Sequence, residues 1–374
     1  MSNPVVYDIS TKPITAHAFH QDQLIVCPNT NEAQIFKQTG GNFQLQHTLR
    51  DHDKVITSID VAPNTNRIVT CSQDRNAYVW TQEGGVWKPG LVLLRINRAA
   101  TYVRWSPKED KFAVASGARA IAVCYFEEDN DWWASKHLKR PIRSTVLSLD
   151  WHPNNVLLAA GSADMKARVF SSFIKGLDKK PEPTVWGDKL PFNTVCGEFS
   201  NGRGGWVHSV AFSPSGNALA FVGHDSSVSV AYPAADGGQA TVITVPTATL
   251  PYRSMIWANE NQIVAAGFDC APHLFETSNG TDWHLSGSLD VGRKKLSTTS
   301  SVLNRFKSMD SRGQENQDTD LATTHQNTII EIRPYAGSRE NLTQFSTCAL
   351  DGKVAVWQFD PSHLSTDLAG LKLQ

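Results

Sequence analysis

The sequence predicts an all-β protein, a seven-bladed β-propeller formed by a single chain of 374 residues. Three observations support this prediction: a β-hairpin sequence that recurs, a nearly constant spacing between its copies, and one strongly apolar strand in each copy. A period of about 40–45 residues with four strands per unit is typical of propeller blades. Seven such units can close into a ring, which leaves only short and protected sheet edges.

The clearest copy of the hairpin is Arg67–Trp80 (RIVTCSQDRNAYVW), where an apolar run, a polar turn and a second β-rich run follow one another. Asp74 and Asn76 are residue types that suit a tight turn. The corresponding turn residues of the seven copies are Thr30, Asp74, Arg119, Asp164, Asp225, Asp269 and Asp351. The steps between them are 44, 45, 45, 61, 44 and 82 residues, so the regular period is that of WD40 blades and two repeats contain insertions.

The other strands of each repeat can be placed around the hairpin. An inner strand that ends near a proline turn precedes it, as in Val55–Pro63, and a polar fourth strand follows it, as in Gly84–Leu94. The second strand of each repeat is almost continuously apolar, which is typical of a strand covered on both faces. In a propeller the covering surfaces are the neighbouring blades, while the polar fourth strand suits an exposed outer edge.

The two ends of the chain and the two long steps complete the predicted organisation of residues 1–374. The last repeat has no convincing fourth strand after Trp357, and residues 4–10 form an isolated β-type run, so we expect the N-terminal strand to close the last blade. Residues 171–205 are predicted to be an extended surface loop. Residues 290–327 are predicted to be a polar insertion between blades six and seven that contains a short helix.

Composition and charge exclude several classes of protein. Apolar residues make up 40% and charged residues 19% of the chain, which is typical of a globular protein. A formal net charge of −1 gives no reason to expect binding to nucleic acid or to an anionic membrane. The sequence contains no apolar run near ~20 residues and its start lacks a secretory signal pattern, so we expect a cytoplasmic protein without a membrane span.

The cysteines and glycine-rich segments do not indicate a cofactor. The six cysteines lie far apart and form neither a CxxC pair nor a Cys/His ligand pattern, so buried free thiols in a reducing compartment are favoured over zinc. The segment Gly202–Gly205 is glycine-rich but lacks the Lys-Ser/Thr of a phosphate-binding loop. We therefore expect neither a metal nor an organic cofactor.

His52, Ser72, Asp74 and Trp80 in the second repeat are predicted to have a structural role. In WD40 repeats such residues join the tryptophan to the serine, histidine and aspartate through hydrogen bonds that hold strand to strand. A Ser/His/Asp set also suggests a hydrolase triad, but the sequence has no GxSxG elbow and Ser72 falls in the middle of a blade. The other repeats keep only parts of this set.

Two segments are candidate partner-binding sites. Lys136, Lys139, Arg140 and Arg143 form a basic cluster between blades three and four, which is either a solvated face or a site for an acidic partner.

The second candidate is the predicted helix within Ser297–Gly313, which places apolar residues on one face and basic residues toward its C-terminal half. This face either contacts a partner or docks on the propeller, and the remaining possibility is that the segment is unstructured. Its candidate contact residues are Val302, Leu303, Arg305, Phe306, Lys307 and Met309.

Three blocks of the sequence, Asp51–Trp80, Ser148–Lys175 and Gly204–Tyr232, closely resemble the WD-repeat subunit of the actin-related protein 2/3 complex, and Pro13–Phe36 resembles it too. The resemblance covers nearly the whole chain. It implies a non-enzymatic scaffold in a cytoplasmic, cytoskeletal assembly that nucleates branched actin filaments at actin patches or the cell cortex. The implied partners are the other subunits of that complex, the actin filament and acidic segments of nucleation-promoting factors.

Two other classes remain open from the sequence. One is a WD40 adaptor of another complex, such as a ubiquitin-ligase receptor or a chromatin scaffold, although the sequence carries no F-box or nuclear basic run that would accompany either role. The other is an enzyme built on a propeller, which would require acid, base or metal-binding residues that converge on the central channel.

Overall fold

The computed structural model describes residues 3–188, 190–234, 238–290 and 321–360. Within these residues the chain forms seven antiparallel sheets of four strands each. The first strand of every sheet contacts the first strand of the next, and the last sheet contacts the first, so the sheets are the blades of a closed ring. The predicted seven-bladed propeller is confirmed.

The strands are numbered in chain order, and β1 is Val5–Asp8. The strands of blades one to three, from the channel outward, are β2 Ala16–His20, β3 Gln23–Cys27, β4 Glu32–Thr39 and β5 Asn42–Arg50; β6 Ile56–Ala62, β7 Arg67–Ser72, β8 Ala77–Glu83 and β9 Val86–Val92; and β10 Ala100–Trp105, β11 Lys111–Ser116, β12 Ala120–Glu127 and β13 Trp132–Leu138. A 3₁₀ turn, Glu128–Asn130, joins β12 to β13.

Blades four to seven repeat this order. Their strands are β14 Val146–Trp151, β15 Leu157–Ser162, β16 Lys166–Ser171 and β17 Val195–Phe199; β18 Val207–Phe212, β19 Leu219–Gly223, β20 Ser227–Tyr232 and β21 Thr241–Pro246; β22 Tyr252–Asn259, β23 Gln262–Gly267, β24 His273–Glu276 and β25 His284–Ser288; and β26 Ile329–Gly337, β27 Leu342–Ala349 and β28 Lys353–Gln358. The outer strand of blade seven is β1, which pairs with β28 from Val5 opposite Val356 to Asp8 opposite Lys353.

Burial follows the position of a strand in its blade. Every residue of β11, β15, β19 and β23, the second strands of blades three to six, is buried. By contrast, no residue of the outer strand β21 is fully buried: its two end residues are exposed and the four between them are partly buried. Apolar side chains fill the space between each pair of neighbouring blades, so the core is a series of layers rather than one central mass.

Side chains of the inner strands also link one blade to the next. Ser58 Oγ accepts a hydrogen bond from Val103 N–H (3.2 Å), and Asp60 accepts one from Trp105 N–H (2.7 Å). Asp150 makes the equivalent contact further along the ring. These bonds satisfy backbone donors that face the channel, because inner strands have a sheet neighbour on one side only.

Residues 171–205 differ from the expected surface loop. The segment includes β17, the outer strand of blade four, and Trp186, which is buried against Phe199 and Phe212. The Trp186 indole N–H donates to Gly216 O (2.7 Å), and Asp178 forms a buried ion pair with Lys111. A buried indole and a buried cation each need a partner, so this segment packs on blades three to five.

The insertion between blades six and seven is described only at its ends. Thr324 N–H donates to Asp290 (2.6 Å), which brings the two ends of the insertion together. The predicted helix and its candidate contact residues, Val302 to Met309, lie outside the described residues. No helix among the described residues is long and apolar enough to cross a membrane.

Candidate functional site

The predicted structural set in blade two is a buried chain of hydrogen bonds. His52 Nδ1 lies 2.7 Å from Asp74 Oδ2, and His52 Nε2 lies 2.9 Å from Thr70 Oγ1. The Trp80 indole N–H donates to the same Thr70 hydroxyl at 2.9 Å. The chain therefore joins the turn before β8 to the loop before β6, and all four side chains are fully or nearly enclosed.

Ser72 has a different place from the one expected. Its hydroxyl donates to Lys54 O (2.8 Å) and accepts from Asp74 N–H (3.1 Å), whereas Thr70 provides the hydroxyl between Trp80 and His52. The alternation of a strand explains this, because residues two apart share a face and both hydroxyls point to the same side of β7. Ser72 has no hydrogen bond to His52, so these residues do not form a nucleophile–base pair.

Blade seven contains a second complete chain that sequence reasoning missed. His325 Nδ1 lies 3.2 Å from Asp351, His325 Nε2 lies 2.7 Å from Thr347 Oγ1, and the Trp357 indole N–H donates to Thr347 (2.9 Å). The threonine and tryptophan stand four residues before and six residues after the aspartate, as Thr70 and Trp80 do around Asp74. This shared spacing could have identified the threonine and the tryptophan from the sequence. The histidine was harder to find, because it follows the insertion and lies 26 residues before Asp351, whereas His52 lies 22 residues before Asp74.

The two faces of the ring can now be distinguished. The upper face carries the turns between second and third strands, including Asp74, and the lower face carries the turns between first and second strands. The basic cluster belongs to β13 and the loop after it, which leads back to the upper face. Lys139, Arg140 and Arg143 are exposed there, while Lys136 lies on β13 with its ammonium 5.6 Å from the Tyr125 ring.

A network of ion pairs fills the middle of the channel. Glu331 on β26 accepts hydrogen bonds from Arg104 (2.6 Å) and from His17 N–H (3.0 Å), and it lies 3.1 Å from Arg333. Arg333 also pairs with Asp60 (2.6 Å). Burial alone would raise the pKa of Glu331, but the charges of Arg333 and Arg104 hold it well below its ordinary value. The network joins inner strands of blades one, two, three and seven.

One group in this network has the composition of a metal site. Ligand atoms of His17, Glu331 and Cys348 lie within 4.8 Å of one another. However, Glu331 is already bound by two guanidinium groups, and burial raises the pKa of the Cys348 thiol well above its ordinary value. Metal binding needs a thiolate and a free carboxylate, so this group does not fit a metal.

The channel widens into a cavity of about 430 Å³ toward the lower face, which we call the channel cavity. It is bounded by inner strands and by the turns that follow β18 and β26. Its charged and aromatic lining residues include Tyr102, Arg104, Asp150, Trp257, Arg333, Tyr335 and Arg339. A volume in this range is typical of ligand pockets. None of these residues was identified from the sequence, because inner-strand positions that face a channel share the period of all other strand positions.

At the upper end of the channel, His208 contacts two other side chains. The Arg253 guanidinium lies 3.1 Å from His208 Nδ1, and His208 Nε2 lies 2.9 Å from His224 Nδ1. Burial, and then the positive charge of Arg253, lower the pKa of His208 to about 3. His208 is therefore neutral at ordinary pH and serves as a hydrogen-bonding link rather than a proton carrier.

The comparisons with known proteins agree with this architecture. A family profile described as "WD domain, G-beta repeat" matches residues 43–81, 136–171 and 194–230. The chain is 51% identical over 378 residues to "Actin-related protein 2/3 complex subunit 1" of Schizosaccharomyces pombe, covering 96% of this chain and all of that protein.

Two further relatives carry the same designation. The chain is 50% identical to subunit 1A-B of Xenopus laevis, with 97% of this chain and 98% of that protein covered. It is 42% identical to subunit 1 of Saccharomyces cerevisiae, with 94% and 96% covered. With identity this high over nearly the full length of both chains, the protein belongs to the family of actin-related protein 2/3 complex subunit 1.

Proposed function

We propose that this chain is a non-catalytic scaffold subunit of the actin-related protein 2/3 complex, which supports the nucleation of branched actin filaments and the reception of nucleation-promoting factors. Membership of the subunit 1 family carries the proposal. The corresponding place of action is the cytoplasm, in actin-rich structures such as patches or the cortex.

The fold supports a role as a rigid platform. Each blade is joined to its neighbours by an apolar layer. Three inner strands are also tied together by ion pairs, and a hydrogen bond from His17 N–H to Glu331 adds a fourth. Relative movement of two blades would break these contacts and expose apolar surface, which costs roughly 25 cal/mol per Å². A ring of this kind can hold several neighbouring proteins at fixed distances from one another.

The chemistry of the described residues supports a non-catalytic role. The Ser72, His52 and Asp74 side chains are used in hydrogen bonds within blade two, and Ser72 does not contact His52. In the channel, Glu331 and Asp60 are paired with arginines and thus do not offer a free general acid or base. Among these groups, Arg104, Arg333, Glu331 and Asp60 are accounted for by their pairing with one another.

The basic cluster is the proposed site for acidic segments of nucleation-promoting factors. Lys139, Arg140 and Arg143 are exposed on a protein whose formal net charge is −1, so their local charge can attract an acidic chain. Arg143 donates its backbone N–H to Asp164 (2.8 Å), which fixes the loop while the residue itself stays exposed.

Isolation of the native protein tests the scaffold role. A tagged chain should recover the actin-related subunits and the remaining subunits in equal amounts, as measured by quantitative mass spectrometry of the purified material. Recovery of the chain alone, or with a cullin-type ubiquitin ligase, would overturn the proposal.

The insertion between blades six and seven is proposed to contact an actin-type subunit or the filament through its apolar face. The test is Val302→Asp with Phe306→Asp, and the control is Asn304→Asp with Ser308→Asp, which adds the same charge on the opposite side of the predicted helix. The first pair should weaken branch nucleation by the reconstituted complex without lowering the melting temperature of the subunit. Unchanged branching, or weakening by both pairs, would contradict a contact through this face.

A further inference from the structure

A second, smaller cavity lies in the channel on the upper side of the channel cavity. Its volume is about 50 Å³, and two consecutive residues from each of the seven blades line it. These residues stand at the beginning of the inner strands, as His208 and Ser209 do on β18 and Arg253 and Ser254 do on β22. All seven blades therefore surround this space, which we call the upper cavity.

Arg253 brings a positive charge to the upper cavity. The residue is partly buried, and its guanidinium donates a hydrogen bond to His208 Nδ1 (3.1 Å). Among the described residues, no carboxylate forms an ion pair with it. Burial lowers the pKa of Arg253, and the residue that opposes this change is Tyr102 rather than an acid. A guanidinium stays protonated in proteins, so its charge persists without an acidic partner.

The neighbours of Arg253 do not supply a negative charge. Burial, and then the charge of Arg253, lower the pKa of His208 to about 3, so this histidine is neutral at ordinary pH. Burial raises the pKa of Tyr102 to about 12, so its phenol is uncharged as well. Both side chains can form hydrogen bonds at the upper cavity, but neither can balance a guanidinium.

The carboxylates near the upper cavity are already balanced by other arginines. Glu331 is the one carboxylate among the described residues of the lining, and it is bonded to Arg104 and Arg333. Arg333 is paired with Asp60 as well. These two arginines and two carboxylates form a neutral set, so Arg253 adds one positive charge that the set does not offset.

Asp150 does not balance Arg253 either. It lines the channel cavity but not the upper cavity, and it stands three residues after Leu147, which lines the upper cavity in blade four. Burial raises the pKa of Asp150, and the cations that oppose this rise are Arg339 and Arg104. The charge of Asp150 therefore belongs with the arginines of the lower part of the channel.

The size of the upper cavity restricts what can supply the missing charge. A cavity needs about 10–15 Å³ to hold one water molecule, so this one holds an ion of similar size together with some of its water. Pockets that bind organic ligands are typically about 300–1,000 Å³ in volume. A peptide side chain or an organic acid is therefore too large, whereas a monatomic anion fits.

We propose that the upper cavity binds one halide ion, with chloride as the natural ligand, beside the guanidinium of Arg253. A guanidinium has five N–H donors, and one of them is used on His208, so others are available to the ion. The ion balances a charge whose burial would otherwise be costly. It thereby stabilises the closed ring from inside the channel. This role concerns the propeller itself and does not depend on which proteins the propeller holds.

The test is a chloride titration of the full-length chain at constant ionic strength, in which sodium chloride replaces sodium gluconate. Gluconate is too large for the upper cavity. The melting temperature should rise and then level off as expected for one site, because an ion that binds only the folded chain stabilises it. The protein should also broaden the chloride-35 NMR signal, and added bromide should reverse this broadening. Sodium sulfate at the same ionic strength should have neither effect.

Two arginine variants locate the ion. Arg253→Gln removes the charge but keeps a donor for His208, and it should abolish both chloride effects. In chloride-free buffer this variant should melt at or above the temperature of the unaltered chain, because it buries no unbalanced charge. The control, Arg98→Gln, removes the same charge from an exposed residue outside the lining and should respond to chloride as the unaltered chain does.

A second pair of variants tests the same idea without changing Arg253. Leu147→Glu adds a carboxylate to the lining of the upper cavity, so it should act as an internal counter-charge and abolish the chloride effects. Leu147→Gln has the same size without the charge and should retain them.

Several results would overturn the proposal. These are absence of chloride-35 broadening by the unaltered chain, equal broadening by Arg253→Gln, and an equal rise in melting temperature with sulfate. Loss of the chloride response in Arg98→Gln would also overturn it, as would an equal response in the two variants of Leu147.

Discussion

Blades two and four hold the same turn in place with different chemistry. In blade two, the partner of Asp74 is the imidazole of His52, whose pKa is lowered by burial. From His52 a chain of hydrogen bonds continues through Thr70 to Trp80. In blade four, the Arg168 guanidinium donates to both carboxylate oxygens of Asp164, each at 2.9 Å. Arg168 is almost fully buried and also pairs with Glu198 on the neighbouring outer strand (2.8 Å).

The difference is a coordinated set of replacements. Counting from the turn aspartate, blade four has Ile142 where blade two has His52, Ala160 where it has Thr70, and Phe170 where it has Trp80. All three replacements are buried and apolar. Arg168 takes the register position of Tyr78, since each lies opposite the residue equivalent to Thr70.

This comparison shows which part of the arrangement a blade needs. In both blades the aspartate also accepts a backbone N–H from the loop before the inner strand, from Asp53 in blade two (3.1 Å) and from Arg143 in blade four (2.8 Å). The backbone contact is shared and the side-chain partners vary. Removing all members of a buried polar set is tolerated far better than removing one, because a single removal leaves the others without partners.

The largest expected effect is in blade four. Arg168→Met should lower the free energy of unfolding by about 3 kcal/mol, because Asp164 would remain enclosed without its cation. Arg168→Lys should cost less, since it keeps the charge but loses the two-oxygen contact. Urea denaturation of the purified chain measures both changes. An Arg168→Met protein as stable as the unaltered chain would mean that the ion pair adds nothing beyond the shared backbone contact.

The second largest effect is in blade two. Thr70→Val keeps the shape of the side chain but leaves Trp80 Nε1 and His52 Nε2 buried without a partner, so we expect a loss of about 2 kcal/mol. Thr70→Ser retains the hydroxyl and should cost less than half as much. If the valine and serine variants unfold at the same urea concentration, the hydroxyl bonds do not stabilise the blade.

These comparisons also show how far the sequence could predict the structure. The period of the turn residues and the apolar second strands determined the propeller, because both follow from the repeating geometry of the blades. The link through Thr70 was not predicted, since Ser72 and Thr70 are both hydroxyl residues on one face of β7. Which of the two faces the histidine depends on the loop before β6, and its conformation is not encoded in the strand pattern.

The channel cavity was beyond sequence reasoning for a related reason. Arg104, Asp150 and Arg333 come from three blades, and they are neighbours only because the ring closes. Along the chain each is a single charged residue in an inner strand, which is also how a solvated strand residue looks. Repeats predict which strands pair, but they do not predict which charges face one another across a channel.

The third prediction transfers the blade-four solution into blade two. The variant combines His52→Ile, Thr70→Ala, Tyr78→Arg and Trp80→Phe, so that Asp74 faces an arginine and the other positions are apolar. Its loss of unfolding free energy should be smaller than the sum of the four single losses by about 1–2 kcal/mol, which is typical of residues in one network. Additive losses would show that the four positions act independently and that the two blades are not alternative solutions.

The smallest expected effect is a difference in acid sensitivity between the two solutions. Burial lowers the pKa of His52 from its ordinary value of 6.5, against the opposing influence of Asp74. The unfolded chain therefore binds a proton at His52 at a higher pH than the folded chain does. The contribution of this histidine to stability is present above pH 6.5 and is lost as the pH falls below that value.

Blade four should respond only at lower pH. Burial alone would raise the pKa of Asp164, but hydrogen bonds from Arg168 and Ser162 hold that pKa below its ordinary value of 3.8. The contribution of Asp164 to the stability of the fold is therefore retained until the pH falls below 3.8. Between pH 7.5 and 5.5 the unaltered chain should lose more stability than the fourfold blade-two variant, because only the unaltered chain carries His52, whose pKa is lower in the folded chain than in the unfolded chain. The other histidines are common to both proteins and cancel in the difference. Urea titrations at half-unit pH steps measure it, and parallel curves would show that His52 is not held neutral by its blade.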